Sequence, residues 1–139
     1  VVDTLQYLKI GFSVAATCLT SFLGDFDKLL QYLVTLIIVD YITGVLVAIV
    51  KKSLSSEVGL KGIVKKVMQL MLVGVATILD NVSGTNDPYV RSTVIYFLIA
   101  NEGISILENA AAVGIPVPTF LSGILEKLKG EITNKKEGK

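Results

Sequence analysis

The sequence predicts an all-α integral membrane protein: three to four transmembrane helices, then a short C-terminal amphipathic helix, working as a homo-oligomer. Three observations carry that expectation. The composition is 52% hydrophobic and 18% charged, with mean hydropathy +0.68, whereas soluble domains carry about 25% charge. The charges are also clustered: residues 29–50 hold only Asp40, residues 67–79 hold none, and residues 92–107 hold only Glu102. A soluble helix must meet water on one face and shows charge every turn or so. Finally, the flanking segments repeat their apolar residues at spacings of three and four, the period of a helix.

At 139 residues the chain fits one unit. Residues 1–118 are expected to form its transmembrane part and residues 119–139 a cytoplasmic amphipathic helix with a charged tail. A spanning helix needs roughly 20 mostly apolar residues. Residues 29–50 supply the strongest span, ending at Lys51 and Lys52. The next is 63–82, with Lys65 and Lys66 snorkelling to the headgroups. The last is 90–113, stopped by Gly114 and Pro116, a common helix-ending pair. The first segment, 5–24, sets Leu5, Leu8, Phe12 and Leu19 on one face and a polar stripe of Ser13, Thr17 and Thr20 on another. It either spans, with the stripe toward other helices or water, or lies flat in the interface. The uncharged run 10–24 favours spanning. Cys18, inside that run, reads as a small packing residue.

Loop charge sets the orientation. Residues 51–66 carry Lys51, Lys52, Lys61, Lys65 and Lys66 against Glu57, and the tail carries Lys127, Lys129, Lys135, Lys136 and Lys139. The other turns are acidic, with Asp25 and Asp27 beside Lys28, and Asp80 and Asp87 before Arg91. Positive-inside counting puts the 51–66 loop and the C-terminus in the cytoplasm. No basic n-region opens the chain, so a cleaved signal peptide is not expected. In the tail, Phe120, Leu121, Ile124, Leu125 and Leu128 share a face opposite Glu126, Lys127 and Lys129, the pattern of an interfacial helix anchoring the last span. Residues 131–139 read as disordered, free to meet acidic lipid or a partner.

Two carboxylates fall near mid-span, Asp40 and Glu102, where each costs about 2.5–3.5 kcal/mol on insertion scales. No Lys or Arg is expected at their depth, so an ion pair within one chain is not expected. They are then protonated and hydrogen-bonded, or exposed to a water path, or in contact with another subunit. The last span adds Asn101, Ser105, Glu108 and Asn109 at spacings of three and four, a polar face that glues helices together or lines water. Gly44 and Ala48 read as a small-residue packing pair. A chain this short encloses little pore alone, so a water path implies an oligomer.

Several function classes drop out. The chain has no His and a single Cys, which removes disulfide frameworks and His/Cys metal sites. Net charge is +1, so nothing points to nucleic acid. No nucleophile is paired with a base and no Gly-rich loop cradles phosphate. Neither an enzyme nor a cofactor is expected.

Four stretches carry a resemblance to a known family. They are Asp40-Tyr41-Ile42-Thr43-Gly44 with the Lys51-Lys52 exit; Ser55-Ser56 leading to Gly59-Leu60-Lys61-Gly62 and Lys65-Lys66; Leu79-Asp80; and the run from Asn101 to Asn109 continuing into Gly114-Ile115-Pro116-Val117-Pro118. Their order and spacing, over residues 29 to 128, resemble the phage lysis and toxin-secretion holins of Gram-positive bacteria and their phages. The resemblance implies a non-enzymatic protein of the bacterial cytoplasmic (inner) membrane. Such a protein oligomerises and permeabilises the bilayer, so that a cell-wall hydrolase or large toxin passes. From the residues alone, a small ion- or proton-coupled channel or transporter using the same carboxylates remains the alternative.

Overall fold

The computed structural model describes residues 2–137, and the side chains of residues 3–130. It contains five helices: α1 (Val2–Leu23), α2 (Lys28–Val50), α3 (Ser56–Ser83), α4 (Tyr89–Ala112) and α5 (Thr119–Glu137). Three of them, α2, α3 and α4, are long and apolar enough to cross a membrane. The all-α membrane class expected from composition is therefore the class observed, and α1 is not among the three.

Local chemistry fixes the helix ends. Asp27 caps α2 by accepting the Leu30 N–H at 2.9 Å, and Ser55 caps α3 by accepting the Val58 N–H at 3.2 Å. Such caps satisfy N–H groups that have no partner inside the helix. The Ser55 cap starts α3 seven residues before the expected position, so Lys61 is helical and Lys65 and Lys66 lie nearly three turns into the helix instead of at its start. Helix α3 ends at Gly84, whose φ of 70° is left-handed, a conformation glycine adopts without a Cβ penalty. Helix α4 has no cap from its own sequence. Instead Asp80, from the end of α3, accepts the Val90 and Arg91 N–H groups at 3.0 and 2.8 Å.

Short connections make α1 to α4 run up and down, and α4 is the hub, packing on α2, α3 and α5. The core consists of Leu23, Leu30, Leu33, Ile37, Val73, Ile95 and Leu98. Outside it, Ile42, Leu46 and Ile49 on α2 and Met68, Leu72 and Val75 on α3 stay about half exposed. Such a surface would aggregate in water, and in a bilayer it faces lipid.

Helix α1 packs on the bundle through α3, and its last residue, Leu23, also joins the core and meets Arg91 of α4. Its C-terminal end docks on α3, where Gly74 leaves room for the Phe22 ring; a Cβ on Gly74 would overlap that ring. The rest stands clear, so Leu5, Leu8, Phe12 and Leu19 are exposed. Cys18 is exposed too, and in the single chain it is not the packing residue expected from the sequence.

Helix α5 also departs from expectation. Rather than leaving the bundle, it folds back along α4: Leu125 packs on Gly103, and Lys129 donates to Asn101 at 3.2 Å and lies 5.7 Å from the Phe97 ring centre. Its helical backbone continues through Glu137, across much of the segment expected to be disordered; Gly138 and Lys139 lie outside the described residues.

Candidate functional site

Asp40 lies ten residues before the end of α2, Lys66 ten residues after the start of α3, and Glu102 ten residues before the end of α4. At 1.5 Å per residue, each is about 15 Å from the same end of the bundle. The antiparallel hairpins bring these three levels together. Lys66 Nζ forms ion pairs with both Asp40 Oδ2 and Glu102 Oε2. The cluster is enclosed, with side-chain exposures of 12% for Lys66, 9% for Asp40 and 1% for Glu102.

This overturns the expectation that no cation reaches the carboxylates. Lys66 points inward instead of snorkelling, because the early start of α3 carries it well past the interface. One ammonium then serves two carboxylates, and neutral amides supply further donors. Gln69 Nε2 donates to Glu102 Oε1. Asn109 Nδ2 donates to Asp40 Oδ1 at 3.2 Å and to Thr43 Oγ1 at 2.9 Å. Buried charge persists in a protein only when paired and hydrogen-bonded in this way.

The polar residues expected on one face of α4 occupy two. Glu102, Ser105 and Asn109 turn toward α2 and α3, with Ser105 lining the cavity beside Asp40 and Lys66. Asn101 and Glu108 turn toward α5, Asn101 to Lys129 and Glu108 into a cleft shared with Glu126. Gly44 opens on the first cavity near Asn109 while Ala48 is buried. The α1 stripe takes no part in the cluster: Thr17 and Thr20 donate to the backbone carbonyls of Ser13 and Ala16 at 2.8 and 3.0 Å. Lys51, Lys52, Lys61 and Lys65 are exposed at the lysine-rich end.

A second cluster ties the opposite end. Arg91, 4% exposed, donates to the Leu23 and Asp25 carbonyls at 2.8 and 2.7 Å and pairs with Asp27 at 2.9 Å. The turn at Gly24 passes so close that a Cβ there would lie 2.6 Å from Arg91 Nε. Thr77 adds a hydrogen bond to the Leu23 carbonyl at 3.1 Å. Asp27 lies outside the spans. Burial pushes its carboxyl up, but the Arg91 hydrogen bond, the Leu30 N–H and the guanidinium charge outweigh that and hold it below the ordinary aspartate value. Among the described residues, no group of three His, Cys, Asp or Glu is placed to hold a metal ion.

The sequence profile of the bacteriophage holin family matches residues 17–130. The chain belongs to that family. The probable holin of Bacillus phage phi105 is 34% identical over 110 residues, 79% of this chain and 81% of that protein. An uncharacterized protein of Clostridium perfringens strain 13 is 40% identical over 124 residues, 89% of this chain and 92% of that protein. An uncharacterized 14.9 kDa protein in the nagH 3′ region of Clostridium perfringens is 39% identical over 129 residues, covering 93% and 98% of the two chains. No solved structure matches. The region shared with the holin family contains both charged clusters and all three spans, and leaves residues 2–16 of α1 outside it. This member of the holin family is thus a multi-pass membrane protein.

Proposed function

We propose that the chain acts as a holin: it gathers in the bacterial cytoplasmic membrane, lysine-rich end and C-terminus inward, assembles with copies of itself, and permeabilises the bilayer. A cell-wall hydrolase or large toxin then passes. The observation that carries this reading is the buried Asp40–Lys66–Glu102 cluster at mid-span of a holin-family chain.

The cluster gives the bundle two ways to satisfy its charges. In lipid, separating the three ions costs on the order of 10 kcal/mol, at about 2.5–3.5 kcal/mol for each ionised group, so the single bundle stays shut. Where copies meet and admit water, hydration replaces the ion pairs and that cost falls away. Glu102, Ser105 and Asn109 then turn from the interior toward the lumen. A two-state element of this kind responds to a bias of a few kcal/mol, which explains how a protein accumulates harmlessly and then acts abruptly.

Induced expression in a growing bacterium tests the proposal, with a potential-sensitive dye and release of a cytoplasmic enzyme followed together. A lag followed by sudden depolarisation and enzyme release is the expected course. Slow ion leakage with continued growth and the enzyme retained would refute the holin reading.

A further inference from the structure

Two cavities enter the bundle from opposite ends, and each stops at a charged cluster. The first, about 230 Å³, runs between α2 and α3 past Tyr41, Gly59 and Gly62 to Asp40 and Lys66. The second, about 350 Å³, lies at the acidic end and reaches Thr77, Asp80 and Arg91. At roughly 30 Å³ per water, each holds several. The first is built almost wholly on the spanning helices; the second is shared by the end of α1, the 24–27 turn, α3 and the start of α4. Between them α3 runs from Lys66 to Thr77, about 16 Å at 1.5 Å per residue, of which Gln69 to Thr77 is about 12 Å. That stretch is apolar: Leu33, Val73 and Ile95 are each 0% exposed, and Leu30, Ile37 and Leu98 no more than 7%. At its edge Gln69 Oε1 is buried without a hydrogen-bond partner among the described residues, while the same amide donates to Glu102. An unpaired buried acceptor is a place where a passing water gains a partner.

We propose that a single protomer is itself a proton pathway, closed at rest by the Leu33–Val73–Ile95 plug and separate from the large lesion. Water in the first cavity meets Asp40 and Lys66, and the chain continues inward through the buried Glu102 to Gln69; water in the second meets Asp27, Asp80, Arg91 and Thr77. The outer helices bring no further charge to the plug, since α1 contributes Thr20 and Ser21 at the second cavity and Lys129 of α5 reaches Asn101 on the far side of α4. Conduction occurs when the plug wets, the way hydrophobic constrictions gate. Protons are the ion that fits. A transient file of waters relays them, whereas a metal ion would shed its hydration among side chains with no oxygen to replace it.

The full chain in liposomes, at fewer than one chain per vesicle on average, tests the pathway. The vesicles hold a pH dye and a protein-sized fluorescent dextran, with potassium and valinomycin to compensate charge. An imposed proton gradient should collapse faster than in empty vesicles, in direct proportion to protein density, with the dextran retained. Val73→Thr keeps the side-chain shape and adds a hydroxyl, so one hydrogen bond to a passing water raises the flux by up to about tenfold. Gln69→Leu removes the polar step and lowers it. Three results overturn the proposal: no flux above empty vesicles, flux rising only with a higher power of density, or both variants matching wild type with helicity intact. Dextran escape at high density reports the lesion separately, so the two claims fail independently.

Discussion

Replacing Lys66 with Met removes the only cation of a cluster that holds two carboxylates, one 9% and the other 1% exposed. Taking one partner from a buried ion pair costs about 3–5 kcal/mol, because the remaining charge stays buried. Here two carboxylates lose the same ammonium, which pushes the effect upward. The amides of Gln69 and Asn109 still donate to them, which offsets part of it. A loss of about 3–5 kcal/mol is a large share of the 5–15 kcal/mol that ordinarily separates folded from unfolded chains. Titration of the purified protein in mixed micelles, followed by circular dichroism, measures it, and depolarisation in induced cells should begin earlier than in wild type. The triple variant Asp40→Asn, Lys66→Met, Glu102→Gln keeps the shapes without the charges, and should recover most of the stability. If Lys66→Met unfolds at the wild-type midpoint, or the triple variant is no more stable than the single one, the cluster does not hold α2, α3 and α4 together.

Arg91→Met should cost about 2–4 kcal/mol in the same titration, since it removes the charged donor from the Leu23 and Asp25 carbonyls, leaving them only Thr77 and the Asp27 N–H, and unpairs Asp27. The Asp27 carboxyl titrates below its ordinary 3.8 in the folded chain. Its contribution is therefore fully present above 3.8 and fades as pH falls through the lower folded value; a pH series should show that loss in wild type and not in Arg91→Met. Asp80→Ala uncaps α4 and should lower stability by about 1–2 kcal/mol, with faster amide exchange at Val90 and Arg91. Gly74→Leu fills the space of the Phe22 ring and should release α1, read as loss of a disulfide cross-link engineered between Ser21→Cys, which faces α3 across the second cavity, and an exposed position on α3.

The spans of α2 and α4 were legible because charge is absent over lengths that fit a bilayer, and the match to residues 17–130 follows the same stretches whose motifs resemble holins. Asp40 and Glu102 stood out for the same reason. Lys66 did not, because it follows Lys65 near the start of the expected 63–82 span, where a basic pair ordinarily marks the interface. The signal was present in Ser55: a cap there fixes the start of α3 and makes the levels of residues 40, 66 and 102 equal by simple counting. The course of α5 was not legible, since an amphipathic face fits a neighbouring helix as well as a lipid surface. Nor was the role of Arg91, whose guanidinium meets four acceptors, two of them backbone carbonyls and all contributed by a segment more than sixty residues earlier.

The most direct measurement is single-cell imaging of membrane potential together with a fluorescent cell-wall hydrolase, co-expressed with the wild-type chain. The account predicts that each cell loses its potential in one abrupt step after a lag, and that the hydrolase leaves the cytoplasm in that same step. A gradual decline with the hydrolase still inside would contradict it.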